Sequence, residues 1–336
     1  MMRGEILALD SIAYEAMRNV LDQYARGARF TIDEAAAIAG LVARPPVPSR
    51  QSTPTGGTIA IVPLMGFMSY RPGLFSLLFG GTSTAQFTAE VRRAGADTSV
   101  STIFIPTDSP GGSVDGVEEA AAAVAEAARR KRVVAIADVM AASAAYWAIS
   151  NATEIVASPS ARVGSIGAVA IHDCLAKALD QAGIVRSYIA SSRFKSEGNE
   201  AEPLSPEARA ELQGKVNEYD RMMTARIATG RRVTVERVRS EYGQGRVVLA
   251  QDALRRGMVD RVTTLAETLD RILVGATTRP GFPSAVAVDP ELDRRRRRLS
   301  LAQMVSRSPG SGIATAVDQD LERRRRRHWL AEAKRR

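Results

Sequence analysis

Between Thr58 and Ala190 the chain repeats one pattern, a short and nearly unbroken apolar run followed by a stretch of other character. The runs are 58–65 (TIAIVPLM), 102–106 (TIFIP), 133–137 (VVAIA), 154–157 (EIVA), 167–171 (GAVAI) and 186–190 (RSYIA). A strand apolar at nearly every position must be buried on both faces, which requires helices on both sides of a largely parallel sheet. Residues 116–130, rich in Ala, Glu and Val, supply one such helix, and 206–228, 234–242 and 249–256 read as later ones. Met258–Val262 reads as a last strand. The pattern predicts an α/β domain.

The flanks differ from this body. In residues 1–45, Leu9, Ile12, Ala13, Ala16, Met17, Val20, Leu21 and Tyr24 fall near a 3.6-residue period, so this stretch is expected to be helical. Pro45 to Gly57, rich in Pro, Ser, Thr and Gly, reads as a linker. The expected division is 1–50 for the helical extension and linker, 51–276 for the α/β domain, and 277–336 for a flexible tail. That tail carries a repeat: 285–298 (AVAVDPELDRRRRR) and 314–327 (ATAVDQDLERRRRR) match at an offset of 29 residues. Two copies are too few for a solenoid.

Charge follows the same division. The formal charge is +9, but residues 285–336 hold 14 Lys+Arg against 7 Asp+Glu, leaving the rest of the chain near +2. The basic character belongs to the tail, where five consecutive arginines could meet nucleic acid. With Trp329 the one aromatic nearby, base recognition has no support. Hydrophobic residues at 45% and charged residues at 25% exclude collagen-like, wholly disordered and disulfide-scaffold classes. One cysteine, Cys174, and two histidines, His172 and His328, leave almost no room for zinc. No apolar window reaches the 18 residues of a membrane span, and Asp10 interrupts the N-terminal apolar run too early for a signal peptide. The chain is therefore expected to be cytoplasmic and without a membrane anchor.

Four short motifs carry the candidate chemistry. Asp108-Ser109-Pro110-Gly111-Gly112-Ser113 follows the run 102–106; its glycines allow a sharp turn with bare N–H groups, suited to an oxyanion, a phosphate or an extended peptide. A plain turn needs the same residues. Met140 to Ala148 places Ser143 among alanines at a strand-to-helix junction, where N–H groups favour negative charge; a tightly packed helix with an incidental serine reads the same way. Gly164-Ser165-Ile166-Gly167 and Arg193-Phe194-Lys195-Ser196 complete the set. His172 beside Asp173 reads as a surface or structural residue, and Lys195 in a polar loop as solvated unless burial neutralises it. Leu64 to Tyr70 and Tyr146 are candidate pocket residues.

Asp108 to Gly112, Ser143, Ser165 and Lys195, in this order and spacing, resemble the signal peptide peptidase A family of serine peptidases, family S49. The resemblance covers roughly residues 58–265, with Gly245 to Val248 and Gly257 to Asp260 similar to the family's closing segment. It implies a Clp protease/crotonase-like fold and a Ser–Lys dyad requiring no cofactor or metal. It also implies Ser143 as nucleophile, Lys195 as general base and Ser165 orienting the amine. The oxyanion hole would comprise Gly111, Gly112 and Ala144. One departure is Ser143-Ala144-Ala145, where the family commonly has Ser-Gly-Gly. The resemblance further implies protein or peptide substrates and a homo-oligomeric ring in which neighbouring subunits can complete the dyad. The flanks look most like phage-encoded members that cleave scaffold and capsid proteins. A cellular peptidase of the family and a catalytically inactive scaffolding relative remain open.

Overall fold

A computed structural model describes residues 6–9, 50–52, 58–71 and 81–275. The rest of the expected N-terminal helices, the remainder of the linker and the Arg-rich repeated tail lie outside the described residues.

The apolar runs form the predicted parallel ladder. Strands β3 (Thr58–Ile61), β7 (Val100–Ser109), β9 (Arg132–Ala142) and β10 (Glu154–Ala157) pair in parallel in that order, and β14 (Arg261–Val262) extends it beyond β10. The short β4 (Leu64–Met65) continues the line of β3 and pairs with the far end of β7. Because side chains alternate across a strand, each run divides between two cores. Ile59, Ile61, Phe104, Val134, Ile136 and Val156 face one side and pack with Ile272 of α8 (Leu265–Gly275). Ala60, Ile103, Ile105, Val133 and Ala135 face the other, against α1 (Thr84–Ala96), α2 (Val117–Arg130) and α3 (Ala144–Ile149). Burial on both faces explains why the runs lack polar alternation.

Strand β9 forks. Its first half, Val134–Ala137, pairs with β10, while Met140–Ala142 pairs with β11 (Arg162–Gly164), which is closed by antiparallel β13 (Val247–Leu249). The fork carries the end of β9 beyond β10, and Ser143 follows it directly. A second, smaller sheet lies alongside in the order β12 (Val169–Ala170), β1 (Ile6–Leu9), β8 (Gly111–Ser113), β5 (Phe67–Ser69) and β6 (Gly81–Ser83).

After a short α4 (Ala176–Gln181), the later helices form at α5 (Pro206–Arg231), α6 (Val235–Glu241) and α7 (Ala250–Arg256). Helix α5 starts where the sequence signals it: Ser205 accepts from the Ala208 N–H at 3.1 Å, with Pro206 in the first turn. Glu118 on α2 joins three helices, accepting from the Trp147 indole of α3 at 3.2 Å and from Arg226 of α5 at 3.0 Å.

Three elements differ from expectation. Ile6–Leu9 is a strand where a helix was expected, because two sheet edges pair with it and tertiary pairing overrides the local period. Within the expected linker, Arg50–Ser52 pairs antiparallel with β3 as β2. The run 186–190 forms no strand; Ile189 is fully exposed and Val185 nearly so. Helix α8 follows the strand expected to be last and covers the second core.

Glu154 fastens the start of β10 to its surroundings, bonding Arg132 at 2.9 Å, Arg261 at 3.1 Å and Arg271 at 3.3 Å. Burial pushes its carboxyl upward, but hydrogen bonds from Arg132 and Arg271 outweigh this and hold it below the ordinary value. A depressed folded-state pKa contributes stability above the unfolded value, about 4.3, and loses it as pH falls through the folded value. Thermal melts should therefore show Glu154→Gln with a lower Tm near neutrality and a smaller further drop on acidification than wild type. Equal acid sensitivity in the two proteins would contradict this assignment.

Candidate active site

Ser143 ends β9 and precedes α3. Its backbone lies at φ 54°, ψ −118°, a conformation that a non-glycine residue adopts only when held, at a cost of order 1–3 kcal/mol. The restraints are visible: its N–H donates to the Gly164 carbonyl at 2.6 Å, and its carbonyl accepts from the Trp147 N–H at 2.9 Å. The hydroxyl reaches the Gly167 carbonyl at 3.4 Å, and only 1% of the residue is exposed. Alanines 141, 142, 144 and 145 are fully buried around it, so their small side chains let strand and helix close on the turn. Ala144 occupies the first helical position, where an N–H has no acceptor within the helix.

The β9–β11 pairing that sets Ala142 opposite Gly164 also brings Ser165 beside this turn. Ser165 is itself at φ 51°, and its N–H donates to the Arg246 carbonyl at 2.9 Å. A Cβ at Gly164 would lie 2.9 Å from that same carbonyl, so this wall needs a glycine.

The Pro-Gly-Gly motif forms the opposite wall. Gly111 N–H donates to Ser109 Oγ at 3.2 Å, and Ser109 in turn donates to the Gly66 carbonyl at 2.6 Å. Gly111 is thus engaged within its own loop, and Gly112 pairs with Met68 of β5 and with Ala8 of β1. A Cβ on Gly112 would sit 1.9 Å from the Met68 carbonyl oxygen, closer than any real contact. The motif is more than a turn: β8 must lie against β5 at glycine distance.

Lys195 is not brought to Ser143 within the single chain. It is exposed, on a turn where its N–H bonds the Ser192 carbonyl at 3.2 Å, and among the described residues no hydrogen bond joins its amine to Ser143 or Ser165. His172 stands apart too, with Nε2 3.0 Å from the Asn199 carbonyl. His328 lies outside the described residues. Tyr146 is a structural anchor and not a pocket residue: it is fully buried, donates to the Met258 carbonyl at 2.8 Å, and burial pushes its hydroxyl far above the ordinary phenol value. Leu64 and Met68 are likewise sealed in the core. The carbonyls of Gly164 and Gly167 and the Ser109 hydroxyl escaped sequence reasoning, since backbone partners leave no residue-type signature. No group of His, Cys, Asp and Glu able to hold a metal occurs among the described residues, nor does any helix long and apolar enough to cross a membrane.

Fold and site together define a mixed α/β domain with a parallel sheet, whose strained serine stands at a strand end between two glycine-rich walls. Residues 125–277 match the family model described as Peptidase family S49, whose ClpP-like fold agrees with this architecture. Head-tail preconnector protein GP5 of Enterobacteria phage P21 is 28% identical over 211 residues, spanning 63% of this chain and 42% of that protein. Protease 4 of Salmonella typhi is 34% identical across 61% of this chain and 32% of its own length. Capsid assembly protease C of Escherichia phage lambda is 26% identical across 63% and 48%. The chain spans less than half the length of these relatives.

Glycine substitutions test the walls. Gly112→Ala should lower Tm sharply, because the obstructing atom is backbone and cannot swing away. Gly214→Ala, within α5 and open around its Cβ, should be neutral or stabilising by up to about 1 kcal/mol. Equal melting of the two variants would remove the steric argument for β8.

Proposed function

We propose that this chain is a serine endopeptidase that cleaves protein chains through acylation of Ser143, with Lys195 as general base. The observation carrying the proposal is the strained Ser143 turn, held by Gly164 inside the residues that match the family S49 model. A neutral Lys195 amine takes the Ser143 proton, and the oxygen attacks the scissile carbonyl carbon. The N–H groups of Gly112 and Ala144 hold the resulting oxyanion; one such donor is typically worth about 2.7–4 kcal/mol. The protonated lysine then gives its proton to the departing amine, and water releases the acyl group through the same base. Ser165, beside Ser143, orients the amine.

Lys195 reaches the serine from a neighbouring copy in a homo-oligomeric ring. Its segment exposes Ile184, Val185, Tyr188, Ile189 and Phe194, an apolar surface of the kind subunit contacts cover. The physiological substrates are scaffold and capsid proteins during phage head maturation, a reading supported by similarity to two phage relatives, a head-tail preconnector protein and a capsid assembly protease. The Arg-rich tail then serves as a tether to capsid or scaffold. Salmonella Protease 4, at 34% identity, favours the second reading, a cellular peptidase.

Incubation of the purified protein with casein or its own chain, followed by mass spectrometry, decides the chemistry. Ser143→Ala and Lys195→Ala should each reduce cleavage by about ten-thousand-fold or more, while His172→Ala leaves it unchanged. Cleavage surviving Lys195→Ala but lost in His172→Ala would replace the lysine by a Ser–His arrangement. Ile189→Asp should dissociate the ring, seen as a fall in mass by light scattering, and lower activity in parallel. An active monomer would overturn the shared site. Co-expression with phage scaffold and capsid proteins separates the two substrate readings: processed shells are expected, and unprocessed ones would favour the cellular enzyme.

A further inference from the structure

The smaller sheet places a piece of this chain between the two walls of the site. Strand β1 pairs antiparallel with β8 in the register Leu7 opposite Ser113, Ala8 opposite Gly112 and Leu9 opposite Gly111. On its other edge it pairs antiparallel with β12, Ile6 opposite Ala170 and Leu7 opposite Val169. Strand β8 carries Gly112, and β12 follows Gly167, whose carbonyl accepts from the Ser143 hydroxyl. The same register, continued toward Ser143, sets Leu9 opposite Gly167. The strand therefore runs through a slot whose sides are the wall bearing the candidate oxyanion donor and the wall bearing the serine's own hydrogen-bond partner.

Without β1 the slot would have two open edges, each offering unpaired N–H and C=O groups, separated by the width of one strand. Neighbouring strands lie about 4.8 Å apart, so a gap of about twice that admits a single extended peptide and bonds it on both sides. Two-sided strand addition of this kind selects for extended backbone first and for side chains second. The occupant is Ile-Leu-Ala-Leu, an uncharged aliphatic tetrad bounded in sequence by Glu5 and Asp10.

We propose that Ile6–Leu9 occupies the peptide-binding groove of Ser143 as this chain's own substrate strand, competing in cis with any peptide offered to the serine. The word substrate rests on the peptidase function proposed above; the occupancy itself does not. The groove's preferred ligand is then an extended, uncharged aliphatic segment, and Ile6–Leu9 must be withdrawn or cut before another peptide enters.

Both tests use full-length protein carrying Ser143→Ala, so neither needs turnover. Directly opposed antiparallel residues have Cα atoms about 4.5–5.5 Å apart, within disulfide range. Leu7→Cys with Val169→Cys, in a Cys174→Ser background, should form a disulfide under mild oxidation, read by mass. A fluorescent peptide of residues 2–11 should bind at least about tenfold more tightly after Leu7→Pro, which removes a strand N–H and releases the slot. Failure of the disulfide to form, or equal peptide binding by the folded Leu7→Pro variant and its parent protein, overturns the proposal. If Leu7→Pro unfolds the chain by circular dichroism, the disulfide decides alone. Should the peptidase assay find Ser143 inert, both readouts keep their expected values, so the two failures are separable.

Discussion

The hydrogen bond from the Ser143 N–H to the Gly164 carbonyl holds the site together. It fastens the end of β9 to the end of β11 and keeps Ser143 at a positive φ that its own side chain disfavours. Much of the neighbouring structure reinforces this turn. The Trp147 N–H closes it from the helix side, and Trp147 itself is fixed by Glu118, which Arg226 also grips. The strain at Ser143 is thus borne by three helices and two strands. A turn stabilised only by local sequence would relax to an ordinary conformation.

Glycine then determines how closely each wall packs on the strand behind it. Gly112 lets β8 lie against the Met68 carbonyl, and Gly164 lets β11 lie against Arg246. Neither contact leaves room for a side chain, so each wall is pinned main chain against main chain. Strand pairing on both edges of the slot leaves specificity to whatever side chains meet the groove beyond its edges.

The body of the fold was legible because burial on both faces writes itself as continuous apolar runs: TIFIP, VVAIA and EIVA all lie within or coincide with strands. RSYIA reads as a similar short run and forms no strand, since no edge among the described residues receives it. The reverse error occurred at Ile6–Leu9, where a helical period continued from Leu9 masked a strand whose partners lie more than 100 residues away. Ser143, Gly112 and Ser165 stand out in the sequence as candidates through their motifs and the family resemblance those motifs carry. The partners that make Ser143 what it is are carbonyls, which every residue has. Nor could sequence alone show that Gly111 spends its N–H on Ser109, because that choice depends on the path of the loop.

Two features of the single chain bear on the same question. On the proposed mechanism Lys195 is the base, yet it is exposed and apart from Ser143; and the slot beside the serine is filled by Ile6–Leu9. An open pair of strand edges next to a reactive serine would invite indiscriminate pairing with any unfolded chain. A resident strand covers those edges, and on the proposed mechanism a base supplied by a neighbour withholds reactivity until copies assemble. Both restraints act at the same atoms, the donors and acceptors flanking Ser143 Oγ, but they are relieved by different events. Assembly brings the lysine without emptying the slot, and withdrawal of the strand empties the slot without bringing the lysine. On the proposed mechanism proteolysis requires both, which ties the onset of cleavage to assembly and to the presence of a peptide able to displace the resident strand.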